Sequence, residues 1–322
     1  MHRRAHSVGW RALRALLSVL GISAVLFAVL KMAPGDPMSE LVTHPDVPPE
    51  VRRQLRHQFG LDQPPIARYF HWLWAMLRGD WGWSHVSRFD VIDLILQRLP
   101  VTLAIVGGSL LLALALAVPI GMKAGLHPGS AFDRCVSALA YLGYALPSFF
   151  TGLLLILLFS IQLGWLPFVF RTDLSQTGWP WMVEQARQSL MPVLVLASFQ
   201  SAIWLRHVRS AVMDVACLDH VRLARSKGLP ETLVVWRHVL PNALIPLVTL
   251  LALQLPAVFS GAIVTEQIFR VPGIGSLLVE SVLRNDTPVL LAITLLLAVL
   301  VVMANALADV TYGWLDPRIG TR

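Results

Sequence analysis

The sequence predicts an all-α polytopic membrane protein with six transmembrane helices and an ordered extracytoplasmic region between helices one and two. Three observations carry this. Of the 322 residues, 56% are hydrophobic and 14% charged, whereas a soluble domain usually has about a quarter of its residues charged. The charges are gathered so that long uncharged runs separate them. Lys and Arg concentrate in alternate connections. The surplus of apolar side chains needs a second apolar solvent, and lipid supplies it.

The uncharged runs place the spans. Residues 15–30 are uncharged between Arg14 and Lys31, whose long stems reach the headgroups from a helix slightly longer than the run; the first span is 12–32. Residues 99–122, closed by Lys123, form the second. The third is 135–162. It exits at Gly164-Trp165-Leu166-Pro167, because tryptophan favours the headgroup level and proline ends a helix. The fourth, 188–205, contains Pro192, and its length at 1.5 Å per residue spans roughly 27 Å. The fifth, 242–265, lies in an uncharged run with Pro241, Pro246 and Pro256, so kinks are expected. The sixth is 287–308. No short apolar stretch with a small-residue cleavage site precedes the first span, and a removable signal peptide is not expected.

Charge asymmetry orients the bundle. With a cytoplasmic amino terminus, the inner segments 1–14, 123–134, 206–238 and the tail from 310 carry net +9, and the outer segments 33–98, 171–187 and 266–286 carry net −2. Basic residues stay on the cytoplasmic side, so both termini are expected there. The overall +7 is thereby read as topology, with no nucleic-acid partner implied.

The 33–98 region has helical signals of its own. Pro49-Glu50, then Val51, Leu55 and Phe59 with Gly60 after them, read as one short helix. Ile66, Tyr69, Phe70, Leu73 and Leu77, ending at Gly79, read as a second. This aromatic helix either lies along the membrane surface or packs on the bundle.

The 206–238 connection is the most informative. Leu218, Val221 and Ala224 recur at helical spacing, Arg222, Arg225 and Lys227 supply charge, and Gly228 stops the helix. One reading is a basic loop that only sets topology. The sharper one is a helix that docks with its apolar side in a cytoplasmic partner's groove.

Within the spans Gln162, Gln200, Thr249, Gln254 and Asn305 are the polar candidates, for interhelical hydrogen bonding or for lining a path. Asp309 is a candidate partner of Arg206. Glu266 with Pro272, Gly273 and Gly275 forms an outer turn that the acid is expected to brace. Cys135 and Cys217 are read as ordinary helix residues. The histidines lack metal-site spacing, and no HExxH or GxSxG cluster suggests a membrane enzyme. No Gly-rich phosphate loop ending in Lys-Ser or Lys-Thr is present, so the chain should bind no cofactor and no ATP. A stand-alone secondary transporter or channel is the alternative of another class.

The stretch 219–246, DHVRLARSKGLPETLVVWRHVLPNALIP, resembles the cytoplasmic signature loop of permease subunits of bacterial binding-protein-dependent ATP-driven (ABC) importers, through Arg222-Leu223-Ala224, Gly228 and Leu240-Pro241. The dipeptide, oligopeptide and nickel subfamily is matched further. Its hallmarks read here as Ala33-Pro34-Gly35-Asp36-Pro37, Phe59-Gly60-Leu61-Asp62-Gln63-Pro64, Arg78-Gly79-Asp80, Leu99-Pro100-Val101-Thr102, Glu266-Gln267-Ile268-Phe269, Pro272-Gly273-Ile274-Gly275 and Asp316-Pro317-Arg318. His220 and Leu223 depart from the tyrosine and the small or polar residue typical of the family. The resemblance implies a type I ABC importer permease in the bacterial inner membrane, forming half of a path for di- or oligopeptides, or alternatively for a nickel or other metal chelate or glutathione. It also implies the partners: a second homologous permease, two cytoplasmic subunits that bind ATP and Mg, and an extracytoplasmic solute-binding protein.

Overall fold

The computed structural model describes residues 2–32, 63–172 and 178–315, with isolated positions between 48 and 54. Of the helix expected from Pro49 to Phe59, Glu50, Val51 and Gln54 are described and helical, and the rest lies outside the described residues. Among the described residues the chain is helical, with one isolated bridge between Trp83 and Asp90. The helices are α1 (His2–Met32), α2 (Pro65–Leu77), α3 (Val91–Leu126), α4 (Ala131–Ala145), α5 (Ser148–Leu155), α6 (Trp179–Ala216), α7 (Asp219–Ser226), α8 (Glu231–Val234), α9 (Leu240–Phe269), α10 (Ile274–Leu283) and α11 (Thr287–Leu315). Two π segments, Ile156–Gln162 and Val235–Val239, extend α5 and join α8 to α9.

By length and composition, three helices are long and apolar enough to cross a membrane: Val91–Leu126, Trp179–Ala216 and Thr287–Ala306. Two bent pairs, Ala131–Ala145 with Ser148–Gln162 and Glu231–Val248 with Leu253–Phe269, bring the number to as many as five among the described residues. The first expected span falls in α1, whose apolar stretch Leu13–Val29 is shorter than the others. Uncharged runs underestimate helix length: α3 begins at Val91 rather than 99, and α6 runs from Trp179 to Ala216 rather than 188–205. A charge ends an apolar run without ending the helix, since a side chain projecting into water leaves the backbone ladder intact.

The expected third span is two helices. Between α4 and α5 the axis turns by 101°, because Leu146 is extended, φ −80° and ψ 127°, as a residue before proline prefers, and Pro147 has no N–H to continue the ladder. The fifth bends by 62° beside Pro256, whose ring displaces the carbonyl four residues earlier. Pro192 is buried within α6, which continues through it.

The described chain forms two compact units. The first comprises residues 1–100 and 276–306, the second 101–275 and 307–322. In the first, α2 packs on α1: Tyr69 Oη lies 2.8 Å from Ser23 Oγ, and the Phe27 ring meets those of Tyr69 and Trp72 at 5.7 and 5.6 Å. In the second, Ala113 and Ala117 of α3 pack with Trp204, Val208 and Val212 of α6, Val221 and Ala224 of α7, and Ala243 and Leu247 of α9. Ala113, Ala117, Gly121 and Gly125 form a small-residue stripe, which lets helix backbones approach closely. A Cβ on Gly121 would stand 2.9 Å from Leu205 O, and one on Gly125 2.6 Å from Arg209 O. A second cluster joins Ile105 and Val106 to Met191, Val195, Val258, Ala262, Phe269 and Val271.

Candidate functional site

The segment between α6 and α9 is cross-linked into a bracket. Its helix α7 starts with Asp219 and carries Arg225 in its last turn, each charge opposing the helix dipole at its own end. Lys227 caps it, and Gly228 follows at φ +77°, a left-handed conformation that glycine adopts without a Cβ penalty. Arg225 then folds back. Its Nε and Nη2 donate to the two carboxylate oxygens of Glu231 at 3.1 and 2.7 Å, and its Nη1 donates to Ala216 O at 3.3 Å. One guanidinium thus ties the end of α6, α7 and the start of α8 together. The Arg225 hydrogen bonds hold the Glu231 carboxyl below its ordinary value against the opposing effect of desolvation.

The burial of α7 reverses part of the expectation. Val221 and Ala224 are 0% and 5% exposed, packed into the chain's own second unit, so they do not form a partner-facing apolar side. Helical spacing identifies a buried stripe without saying what buries it, and here α6, α8 and the Val235–Val239 π segment do so first. The outward surface includes Leu218 and Leu223, 47% and 56% exposed, with Asp219, His220, Arg222 and Lys227 exposed among them.

The second unit also holds a lock that the sequence reading missed. Asp133, on the first turn of α4, is buried and meets the Arg209 guanidinium of α6 through both oxygens, with Nη2 to Oδ2 at 2.8 Å and Nε to Oδ1. Gly129 N–H donates to the same Oδ2 at 2.9 Å, and Ser130 caps α4 by accepting from Asp133 N–H at 3.1 Å. Ser130 followed at three residues by an acid was the available signal, a helix start of the capping-box kind. The ion-pair partner, 76 residues away, left none.

At the other end of the second unit, Glu266 is 1% exposed. It accepts a 2.6 Å bond from Thr102 Oγ1, which itself accepts Ile274 N–H at 2.8 Å. Val271 N–H donates to Glu266 O at 2.9 Å. A Cβ on Gly273 would overlap the Glu266 carboxylate, and one on Gly275 would stand 2.6 Å from Ile263 Cα. Pro272 is half-buried in this turn. Glu266, Gly273 and Gly275 are therefore brought together, with Thr102 as an added member.

The intramembrane polar candidates are not brought to one place. Gln200 is buried and donates to Ser109 Oγ at 3.3 Å, joining α6 to α3. Gln162 and Asn305 are exposed, and Gln254 is half-buried. The side chains of Thr249 and Asp309 lie outside the described residues, and Arg206 stacks over the Tyr141 ring at 4.9 Å. Gln188 was missed: it is buried and accepts Arg171 N–H through Oε1.

In the first unit, Ser84 Oγ donates to the buried carboxylate of Asp286, and His85 N–H reaches its other oxygen at 3.3 Å. A cavity of about 90 Å³ lies beside them, with Arg98, Glu280 and Arg284 on its walls. No cluster of His, Cys, Asp and Glu suited to a metal occurs among the described residues.

Long apolar helices, bent at prolines and closely packed through small residues, with a charged bracket joining two of them, define a multi-span integral membrane protein. Residues 117–321 match the family model described as binding-protein-dependent transport system inner membrane component, and residues 7–106 match the N-terminal model of such membrane components; the chain belongs to this family. It is 37% identical to the oligopeptide transport system permease protein AppB of Bacillus subtilis, covering 96% of this chain and 97% of that one. It is 35% identical to the di/tripeptide transport system permease protein DppB of Pseudomonas aeruginosa and 34% to the dipeptide permease DppB of Escherichia coli, in both cases covering 93% of this chain and 94% of the relative. A solved structure of the methionine ABC transporter MetNI, in an inward-facing form, aligns with TM-score 0.55 at 18% identity, over 69% of this chain and 96% of that one. That likeness extends to the fold alone.

Proposed function

We propose that this chain is a transmembrane permease subunit that forms half of the translocation path of an ATP-driven importer of di- or oligopeptides. The observation that carries the reading is the near full-length likeness to permeases named for oligopeptides, di/tripeptides and dipeptides. Those names favour a peptide cargo over nickel, another metal chelate or glutathione. A second homologous permease completes the path, two cytoplasmic subunits bind and hydrolyse ATP with Mg, and a solute-binding protein delivers cargo on the outer face. This chain contributes no cofactor site. It resides in the inner membrane with six spans and both termini cytoplasmic, an orientation supported by the +9 and −2 split of charge.

In this reading the outward side of α7, formed by Leu218, Arg222, Leu223 and Lys227, seats in a groove of an ATP-binding subunit, and the Arg225–Glu231 brace transmits that subunit's motion to α6 and α9 as one body. The hydrogen bonds from Arg225 to Ala216 O and to Glu231 support such a role, because a connection without cross-links would absorb the motion.

The experiment is uptake into vesicles reconstituted with the chain, its copurified subunits and the solute-binding protein, using labelled dipeptide, pentapeptide, a nickel chelate and glutathione. ATP-dependent accumulation of a peptide is expected. Uptake by this chain without any ATP-binding subunit would favour the stand-alone carrier, and accumulation of only the chelate or glutathione would replace the cargo.

A further inference from the structure

Helix α2 has three sides. At 100° per residue, Trp72, Met76, Tyr69 and Leu73 occupy an arc of about 100°, and three of them carry the contacts or burial that seat the helix: Tyr69 and Trp72 on α1, and Met76 buried. Next to that arc stand Ile66, Leu77, Phe70 and Trp74, within about 80° of one another. These four are 72%, 73%, 60% and 56% exposed. The remaining side carries Arg68, His71 and, just past the end, Arg78. His71 Nδ1 pairs with Gln63 Oε1 at 3.0 Å in an exposed position.

One apolar arc is therefore covered by α1 and the adjacent one is bare. The depth of the α1 contact says what covers it. Ser23 and Phe27, which receive Tyr69 and Trp72, precede the end of the apolar stretch of α1 at Val29 by about 9 and about 3 Å at 1.5 Å per residue. Contacts at that depth set α2 against the last turns of a membrane helix, below the level of bulk water. On the opposite face of α1 from Ser23 and Phe27, at 100° per residue, Val25 and Val29 are themselves exposed, as expected where this helix meets lipid.

Charge agrees. From Pro65 to Leu77 the helix has no acidic residue, while Arg68, His71 and Arg78 offer donors suited to lipid phosphates. Arg78 lies over the Trp74 ring at 4.7 Å, a pairing suited to the headgroup boundary, where an aromatic body sits in the apolar layer and a guanidinium snorkels outward.

We propose that α2 is a membrane-interface helix, with Ile66, Phe70, Trp74 and Leu77 immersed in the acyl-chain boundary of the leaflet at the carboxyl end of α1 and Arg68, His71 and Arg78 facing phosphates and water. Because α2 runs directly into the turn that carries Ser84 to Asp286, lipid contact helps fix that turn's position.

The test uses the full chain with its copurified subunits in phospholipid nanodiscs, after replacing its two cysteines, Cys135 and Cys217, with serine. Nitroxide labels are placed one at a time by Ile66→Cys, Phe70→Cys, Leu77→Cys, Arg68→Cys and His71→Cys. The proposal expects labels at 66, 70 and 77 to be several-fold more accessible to oxygen than to a water-soluble nickel chelate, and the order to reverse at 68 and 71. Immobilised spectra shielded from both reagents at 70 and 77 would assign the face to a protein partner, and free access of the nickel chelate there would place it in water. Either result overturns the proposal. Ile66 and Leu77 lie at opposite ends of the helix, so a fault in one variant leaves the other to decide.

Discussion

Thr102 Oγ1 stands 2.6 Å from Glu266 Oε1 while accepting the Ile274 amide at 2.8 Å, so one hydroxyl joins α3, the end of α9 and the start of α10. Thr102→Val keeps the volume but removes both bonds, leaving the buried Ile274 N–H without this acceptor. A loss of about 1–3 kcal/mol is expected, against near-native behaviour for Thr102→Ser. Thermal unfolding of the purified protein checks it, and equal midpoints for the two variants would contradict the role given to the hydroxyl.

The small-residue stripe makes an opposed pair of predictions. Gly125→Ala places a Cβ 2.6 Å from Arg209 O, a backbone atom that cannot rotate away, and overpacking of this kind costs about 1–3 kcal/mol. Gly107→Ala, on the same helix, meets nothing within 4 Å and should gain about 0.5–1 kcal/mol by favouring the helix. Opposite shifts in thermal stability are the expected readout.

These two sites also show what sequence could and could not reveal. The four-residue spacing of Ala113, Ala117, Gly121 and Gly125 was legible in principle, as were the apolar runs that place the helices. Pro147 was legible too, as a break, but a reading based on missing charge passes over it because proline is uncharged. The Thr102–Glu266 and Asp133–Arg209 pairs were not legible, since they join residues 164 and 76 positions apart and each is set by how helices pack. The same reason misdirected Val221 and Ala224: their spacing announces a buried face, and only the tertiary structure says that this chain buries it.

Asp133→Asn and Arg209→Met each break a buried pair by removing one partner. About 3–5 kcal/mol is the usual cost of leaving the other charge. Exposure of Arg209 to some solvent, 28% of its side chain, places Asp133→Asn at the lower end, because the remaining guanidinium can reach water. Arg209→Met, which strands the more deeply buried Asp133, should destabilise more. Ranking the two variants by thermal unfolding tests that order.

The Arg225–Glu231 brace should be insensitive to pH over the neutral range. The carboxyl of Glu231 titrates below its ordinary 4.5 when folded, so its contribution is present above about 4.5 and disappears as pH falls through the lower folded value. The hydrogen bonds to Glu231 push Arg225 above its ordinary value, and it stays charged throughout. Glu231→Gln should therefore cost a constant amount between pH 6 and 8, within about 1 kcal/mol for a pair this exposed, and the difference from wild type should shrink on acidification towards pH 4. A gap that widened in acid would reverse the assigned sign.

Leu223 offers the cleanest test of coupling. It is 56% exposed, so Leu223→Glu places a carboxylate on the surface of this chain at little cost to its own fold, but inside a partner groove the same group must shed water without an assured partner. Ala224→Glu would be ambiguous, since Ala224 is buried in the chain's own core and the variant fails whether or not a partner docks there. Gly228→Val complements it: nothing lies within 4 Å of an added Cβ, yet φ is +77°, so the cost is backbone strain of about 1–2 kcal/mol and a redirected chain. If α7 only sets topology, Leu223→Glu transports normally, because every Lys and Arg between 206 and 238 is retained. If α7 docks, thermal stability of the isolated chain stays at the wild-type value while recovery of ATP-binding subunits, ATP hydrolysis and uptake fall together, the affinity for those subunits weakening about ten-fold for each 1.4 kcal/mol lost from the contact. Wild-type values of all three in Leu223→Glu would remove the docking role from the outward side of α7.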